Sequence, residues 1–371
     1  MYYKTAGESH GRGILALVEG FPAGIEIDSE AIDAELARRQ GGYGRGGRQK
    51  IETDTVEILT GIWQGRSTGA PITLWVKNKD HRIDEAPKIE TPRPGHVDLP
   101  GSIKYGMPIR PIMERASARE TAARVAAGAL AKQYLDKYGI TVIGFVRSIG
   151  DSETQRNESI PSDVDAINQM SYEKTLAQRN ESEVFSLWPK CDSVFKSIID
   201  KAAKSGDSLG GVIEARVFGV PIGLGSHAQW DEKLDGRIAQ AVMSIQAIKG
   251  VEIGLGFESA KRPGSEVHDP IGFDSTLEKT HCRGFVRKTN HAGGIEGGIS
   301  NGQPIVVRAA MKPIPTMITP LDSIDIVTKE PKKAIYERSD VCAVPAASVV
   351  LENVLAFEVA RALCEREKFE S

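Results

Sequence analysis

A thirteen-residue segment near the N-terminus concentrates positive charge and glycine. Residues 38–50 read Arg-Arg-Gln-Gly-Gly-Tyr-Gly-Arg-Gly-Gly-Arg-Gln-Lys, with five cations, five glycines and no acidic residue. Glycines allow backbone N–H groups to approach an anion closely, and the planar guanidinium of arginine binds phosphate or carboxylate through two parallel hydrogen bonds. The segment therefore predicts a binding site for a phosphorylated or carboxylated molecule.

Two histidines lie in turn-forming segments next to arginines. His10 belongs to Gly-Glu-Ser-His-Gly before Arg12, and His96 ends Arg-Pro-Gly-His. Imidazole exchanges protons near neutral pH, so either side chain suits an acid or a base. Each histidine alone is more typical of a loop side chain that bonds to backbone. The glycine and arginine context that both share favours a catalytic role.

Two further segments carry polar groups close to rigid backbone. Residues 312–316 read Lys-Pro-Ile-Pro-Thr, and their two prolines predict a fixed loop that presents a cation and a hydroxyl. Arg338-Ser-Asp340 precedes the last predicted helix, where it either forms an ordinary Ser/Asp cap or places a functional carboxylate and arginine at the helix N-terminus. Many arginines, few nucleophiles and no metal-ligand cluster together favour a polyanionic substrate with an anionic cofactor.

Several familiar signatures are absent in a usable form. The glycine spacing in 42–47 and in 11–16 matches a dinucleotide fingerprint by letters, but neither run follows a strand and opens a helix. His281, Cys282 and His291 lack a fourth metal ligand at a recognised spacing. The four cysteines are far apart in the sequence, so we expect no disulfide framework. Together, these three observations predict no disulfide framework, no metal site and no Rossmann domain.

Alternating helices and strands must position these loops. We predict helices over 30–39, 121–137, 192–204, 234–249 and 341–367, and strands over 140–146, 212–218, 251–257 and 304–311. The connections at 41–48, 80–106 and 284–302 are long and glycine-rich, which is typical of functional loops. No Pro/Ser-rich linker divides the chain, so the elements predict one α+β domain over residues 1–371.

Composition excludes other classes of protein. The 371 residues carry a net charge of −3, which provides no overall positive field for nucleic acid. No apolar run approaches the roughly 20 residues of a membrane-spanning helix, and the N-terminus has no secretory signal pattern. We therefore expect a cytoplasmic globular protein whose partners include neither nucleic acid nor membrane.

A series of motifs, in order from the first ten residues to the last helix, together resembles the chorismate synthase family. The motifs are residues 5–11, 38–50, 93–96, 114–122, 243–253, 291–298, 312–316 and 338–346. The resemblance covers essentially the whole chain. It implies a layered β-α-β sandwich with internal pseudo-symmetry, usually a homotetramer, which binds FMN without a Rossmann domain.

The resemblance also implies the reaction. The family carries out an anti-1,4-elimination that converts 5-enolpyruvylshikimate 3-phosphate into chorismate and inorganic phosphate, the last step of the shikimate pathway. Reduced FMN is required although no net oxidation occurs. The substrate carries one phosphate and two carboxylates, which accounts for the arginine-rich loops.

Matching the motifs assigns roles to individual residues. His10 resembles the histidine that protonates the departing phosphate, His96 the one near flavin N1, and Asp340 the carboxylate that relays a proton from flavin N5. Substrate binding falls to Arg39, Arg45 and Arg48, and the first two also match positions for NADPH as reductant. The positions for FMN are Arg115, Ala116, Ser117, Gln246, Ala247, Gly297, Lys312, Pro313, Ile314, Pro315, Thr316 and Arg338.

Two other classes of function compete with this interpretation. Arg-Gly-Gly segments also occur in RNA-binding proteins, which would show affinity that falls with salt and no need for flavin. An FMN oxidoreductase that transfers a hydride would instead consume NADPH in proportion to product. Catalytic use of reduced flavin separates the family reaction from both.

Overall fold

Two four-stranded antiparallel sheets enclose a layer of helices in the computed structural model, which describes residues 1–46, 53–150, 170–337 and 339–370. The first half contains β1 (Tyr2–Ala6), β2 (Gly13–Glu19), α1 (Ser29–Gln40), β3 (Val56–Ile58), β4 (Ile62–Trp63), β5 (Arg66–Ser67), β6 (Ile72–Lys77), α2 (Asp98–Tyr105), α3 (Ile109–Ala116) and α4 (Thr121–Asp136).

The second half begins with the strand that follows α4. It contains β7 (Thr141–Ile149), α5 (Tyr172–Glu181), α6 (Asp192–Ser205), β8 (Gly211–Phe218), α7 (Leu234–Met243), β9 (Ile248–Ile253), α8 (Gly264–Val267), β10 (Ile271–Phe273), β11 (Phe285–Arg287), β12 (Ile295–Glu296), β13 (Ile299–Ser300), β14 (Ile305–Met311), β15 (Asp322–Ile324), β16 (Pro331–Lys333) and α9 (Val344–Glu370). None of the helices within the described ranges is both long and apolar enough to cross a membrane.

The two halves share one topology. The strand orders are β1-β2-β6-β3 and β7-β8-β14-β9, so each sheet places its four strands as first, second, fourth and third along the chain. Each half also has a helix between its second and third strands (α1 and α7) and a long helix after its fourth (α4 and α9). This repeat confirms the predicted pseudo-symmetric β-α-β sandwich, and its antiparallel sheets differ from the parallel sheet of a Rossmann fold.

The core lies between the sheets and the central helices. Buried residues alternate along β2, as expected for a strand with one buried face. Apolar and charged residues alternate in the middle of β8, but both of its faces are buried there, and Glu214 and Arg216 form a buried ion pair. Helices α4 and α9 cross at Gly128, where a Cβ atom would lie 2.2 Å from the carbonyl oxygen of Asn353. Only glycine permits this approach, and it holds the central helices in backbone contact.

Most predicted elements agree with the structure to within a few residues. Asp28 caps α1 by accepting the backbone N–H groups of Glu30 and Ala31. The predicted helix over 234–249 is wrong beyond Met243, and the predicted strand over 251–257 is β9 at 248–253. The backbone turns at Ala247, whose φ is +67°, and pairing of β9 with β14 outweighs helix propensity there.

Candidate active site

The connections that follow the fourth strand of each half meet at one place. In the first half this connection is residues 78–120, and in the second it is residues 312–343, of which residue 338 is not described. Ser323 Oγ donates to the carbonyl oxygen of Pro92 at 2.6 Å across this boundary, which we call the seam. Further bonds across the seam join Ile326 to Glu90, Arg93 to Thr316 and Arg110 to Glu337. The repeat therefore brings most of the predicted site residues together.

His10 is held by a buried carboxylate. Its Nδ1 lies 2.9 Å from Glu114 Oε2, and its backbone N–H donates to the same oxygen at 2.8 Å. Burial raises the pKa of Glu114, but the hydrogen bonds and charge of His10 outweigh it, so the net pKa lies below the ordinary value. Because a carboxylate can only accept, Nδ1 must carry the proton, and Nε2 remains for a ligand. The His10 side chain is 28% exposed, which leaves it within reach of one.

His96 has the same arrangement with a different acid. Its Nδ1 lies 2.5 Å from Oδ1 of Asp98, whose side chain is fully buried and also accepts from Arg93 at 2.8 and 3.0 Å. Burial opposes ionisation of Asp98, but hydrogen bonds from His96 and Arg93 lower its pKa far below the ordinary range. Arg93 also donates to Thr316 Oγ1 at 3.0 Å, which ties the His96 loop to the second half.

Asp340 faces the glycine-rich segment. Its Oδ2 lies 2.6 Å from Nη1 of Arg45, and its Oδ1 accepts the backbone N–H of Gly46 at 2.6 Å. Asp340 does not cap the last helix, which begins at Val344. Burial lowers the pKa of Arg45, against the opposing effect of the Asp340 charge, and Arg45 Nε is buried without a hydrogen-bond partner among the described residues. The predicted substrate arginine and the predicted proton acceptor are thus paired in this structure.

Arg39 is occupied by the chain itself. Its Nη2 donates to Asp54 at 2.6 Å and its Nη1 to Thr121 Oγ1 at 3.3 Å, and only 4% of the residue is exposed. Burial lowers the pKa of Arg39 to about 10, although the Asp54 carboxylate opposes that shift. Arg48 and Arg338, the other predicted ligand-binding arginines, lie outside the described residues.

Two of the predicted flavin positions converge on Glu120. Arg115 donates to Thr5 Oγ1 at 2.8 Å, and this hydroxyl donates to Glu120 at 2.6 Å. Gln246 Nε2 donates to the other Glu120 oxygen at 2.9 Å. Gln246 Oε1 is buried and has no hydrogen-bond partner among the described residues, so it offers an unused acceptor at this point.

Lys312 to Thr316 are further predicted flavin positions at the seam, and they begin beside Ala247. The backbone N–H of Lys312 donates to the Ala247 carbonyl at 2.9 Å, and its Nζ lies 3.9 Å from the point where Gly95 would carry a Cβ atom. Burial and the nearby charge of Lys249 lower the pKa of Lys312. Neither lysine has an ion-pair partner among the described residues, so both charges are available to an anion. Pro313, Ile314 and Pro315 lead from Lys312 to Thr316.

Ser117 and Gly297 are the next two predicted flavin positions. Ser117 Oγ donates to Ser9 Oγ at 3.2 Å, and Ser9 precedes His10 in the sequence. Ser117 also caps a short 3₁₀ turn at 118–120 that leads directly into α4. Ala116 ends α3 just before it. Gly297 forms the turn between β12 and β13, where the described contacts do not join it to the other flavin positions.

Sequence reasoning missed the acids of the site. It found the histidines and arginines, but not the buried carboxylates of Glu114, Asp98, Asp54 and Glu120 that hold them. The spacing of Asp98 two residues after His96 was a usable signal. Glu114 is 104 residues from His10, and no local pattern indicated that pair. In the described part of the chain, no group of three or more His, Cys, Asp or Glu side chains is placed to hold a metal.

Comparison with known proteins decides the family. The family model "Chorismate synthase" matches residues 1–364. The chain belongs to the chorismate synthase family. The chorismate synthase of Geobacter metallireducens is 52% identical over 379 residues, covering 98% of this chain and 93% of that protein. That of Aquifex aeolicus is 51% identical over 377 residues, covering 98% and 92%.

A solved structure agrees with this membership. The chain is similar to one titled "Crystal Structure of Chorismate Synthase", with a TM-score of 0.79 and 45% identity over 98% of this chain and 92% of that one. The family's activity is a carbon–oxygen lyase reaction that eliminates phosphate in the shikimate pathway, and this chain has that function.

Proposed function

We propose that this chain eliminates phosphate from 5-enolpyruvylshikimate 3-phosphate at the seam, with reduced FMN bound beside the substrate. The observation that carries the proposal is the pair of histidines whose Nδ1 atoms are held by the buried acids Glu114 and Asp98. Such a pair keeps one ring nitrogen oriented while the other exchanges a proton with a ligand. Cations at the rim of the same region supply charges for an anionic substrate.

Substrate binding falls to Arg39, Arg45 and Arg48. A substrate with three anionic groups competes with Asp340 for Arg45, whose pairing at 2.6 Å is the contact that must open. The unpaired Arg45 Nε then gains a partner, which offsets part of the loss. Asp54 holds the guanidinium of Arg39 in place, and Arg39 thereby stabilises the glycine-rich segment that carries Arg45.

The polar groups around Gln246 and Lys312 fit a cofactor with a polar ring edge and a phosphate. Among the described residues, Gln246 Oε1 is a buried acceptor without a partner, and Lys312 and Lys249 are cations without a carboxylate partner. Arg115, Ala116, Ser117, Ala247, Lys312 to Thr316, Gly297 and Arg338 complete the proposed contacts. Reduced FMN, when bound there, lends electron density to the substrate as phosphate leaves and recovers it afterwards.

Protons move between substrate and side chains. His10, protonated and oriented by Glu114, donates the proton that the departing phosphate takes up. A C–O bond and a C–H bond break, one additional C=C bond forms, and Asp340 is the carboxylate that would accept the proton lost from carbon. His96, which Asp98 holds in place, would balance charge on the ring of a bound flavin.

Further properties belong to the same proposal. We assign NADPH to Arg39 and Arg45 as a reductant of the flavin, because both lie in the cationic segment. We also propose that residues 1–371 form a single domain, that the assembly is a homotetramer and that the enzyme works in the cytoplasm.

An anaerobic assay tests the reaction. Purified enzyme receives the substrate with oxidised or photoreduced FMN, and chorismate absorbance and released phosphate are followed together. We expect product only with reduced FMN and many turnovers per reducing equivalent. Consumption of NADPH in proportion to product would instead support net hydride transfer. Chorismate formed equally well without reduced flavin would refute the proposal.

A further inference from the structure

Asn78 lies directly after β6 and supports the loop that carries His10. Only 5% of the residue is exposed. Its Nδ2 donates to the carbonyl oxygens of Glu8 at 3.1 Å, Ser9 at 3.1 Å and Gly11 at 2.8 Å. One amide group therefore contacts the backbone on both sides of His10.

Arg119 sets the orientation of the Asn78 amide. Arg119 Nε donates to Asn78 Oδ1 at 2.7 Å, and its Nη1 lies 2.7 Å from both oxygens of Asp54. A guanidinium has no acceptor, so the amide oxygen must face it and the NH₂ group must face the loop. The buried ion pair with Asp54 keeps Arg119 in place, and the orientation of Asn78 follows from it.

The His10 loop is thus held from two sides. Asn78 bonds it to the end of the first sheet, and its own backbone N–H adds a bond to the carbonyl oxygen of Arg12 at 3.1 Å. Glu114 bonds both the ring and the backbone N–H of His10 to α3. Glu114 can fix the ring only if the loop backbone stays where Asn78 holds it.

We propose that Asn78 is a positioning residue for His10. The inference rests on the proposed function, in which His10 donates a proton to the leaving phosphate. A displacement of about 1 Å in a catalytic group lowers turnover by about 10²-fold, because proton transfer requires close alignment. The three carbonyl contacts of Asn78 restrict this displacement, although Asn78 itself touches neither substrate nor cofactor.

The test uses Asn78→Asp. This change keeps the shape and the acceptor for Arg119, but it puts an oxygen where the amide donated to three carbonyl oxygens, so the loop must move. We expect kcat to fall by about 10²-fold, with KM for substrate and Kd for FMN close to wild type. Asn78→Ala removes the same bonds without adding repulsion, and serves if the aspartate variant does not fold.

Ser67→Ala is the matched control. Ser67 Oγ also braces a loop, because it donates to the Pro22 carbonyl at 2.6 Å and accepts the backbone N–H of Ile25 at 2.9 Å. That loop follows the C-terminal end of β2, whereas His10 precedes the N-terminal end of the same strand. Ser67→Ala should lower stability and leave kcat unchanged, which separates a positioning effect from a general loss of stability.

A double-mutant cycle with His10→Ala decides the mechanism. If Asn78 acts through His10, Asn78→Asp causes little further loss of kcat in the His10→Ala background. Equal losses in the two backgrounds would overturn the proposal. If His10→Ala alone keeps wild-type turnover, the proposed acid role fails instead, and the two failures are distinguished.

Nitrogen NMR of labelled histidine reports on position without activity. We expect the His10 Nδ1–H signal, which the Glu114 hydrogen bond protects from exchange, to be lost or shifted in Asn78→Asp and retained in Ser67→Ala. An unchanged signal in Asn78→Asp would show that the amide does not position the ring.

Discussion

Replacing Glu114 by glutamine tests the carboxylate that orients His10. The substitution keeps the size of the side chain but removes its charge and turns one acceptor oxygen into a donor. In the wild type, one Glu114 oxygen accepts both the backbone N–H of His10 at 2.8 Å and its Nδ1–H at 2.9 Å. Glutamine can keep both bonds through its remaining oxygen, but without a negative charge to stabilise the imidazolium.

The expected loss follows from the strength of that interaction. A hydrogen bond to a charged group contributes about 1.5–3 kcal/mol, of which the neutral amide keeps only a part. Since about 1.4 kcal/mol corresponds to a tenfold change in rate, kcat should fall by about 10- to 100-fold. Removal of the proton donor in His10→Ala should have a larger effect, about 10²- to 10⁴-fold.

Both losses of kcat are measured in the anaerobic assay with reduced FMN in excess.

The matched control is Asp269→Asn. Asp269 is another buried carboxylate beside a histidine, and it accepts the backbone N–H groups of His291 and Ala292. It lies in the connection between β9 and β14, and its substitution should affect stability more than turnover. If Glu114→Gln turns over at the wild-type rate, Glu114 does not prepare His10 for proton transfer.

Three further substitutions test the seam and the core. Asp98→Asn breaks a buried ion pair and should lower the free energy of unfolding by about 3–5 kcal/mol at neutral pH, as measured by urea titration. The pKa of Asp98 in the folded protein lies below its ordinary value of 3.8. The difference in unfolding free energy between wild type and Asp98→Asn should therefore shrink as the pH falls below 3.8. A constant difference down to about pH 2 would contradict the pairing with His96. Gly128→Ala should destabilise the protein by about 1–3 kcal/mol, because its Cβ would overlap the carbonyl oxygen of Asn353. In α7, by contrast, a Cβ on Gly236 would have no neighbour closer than 3.8 Å, so Gly236→Ala should stabilise by about 0.4–1 kcal/mol, and equal thermal shifts for the two variants would argue against the helix contact.

Local patterns predicted the elements but not their arrangement. The cap at Asp28 and the alternation along β8 are visible within a few residues of sequence. The repeat is not, because its two halves share strand order rather than residues, and only the family resemblance indicated it. The failure at Gln246 and Ala247 has a tertiary cause, since the strand that follows pairs with β14, which is distant in sequence.

The site shows the same division between local and distant information. Glycine and arginine content identified the loops around His10, Arg45 and His96, because anion binding requires those residue types close together. Partners such as Glu114 for His10 and Asp340 for Arg45 are separated by 104 and 295 residues, since 340 − 45 = 295. A single sequence contains no signal for such pairs, so the state of Arg45 as an ion pair could not be predicted.

The position of the seam links ligand binding to the integrity of the entire sandwich. Loops from both repeats meet at the seam, so a ligand bound there would connect the two repeats. Binding energy gained there should therefore protect amide hydrogens from exchange in both sheets, including strands remote from the ligand. A fold built from two similar repeats should thus respond to its ligand as one cooperative unit.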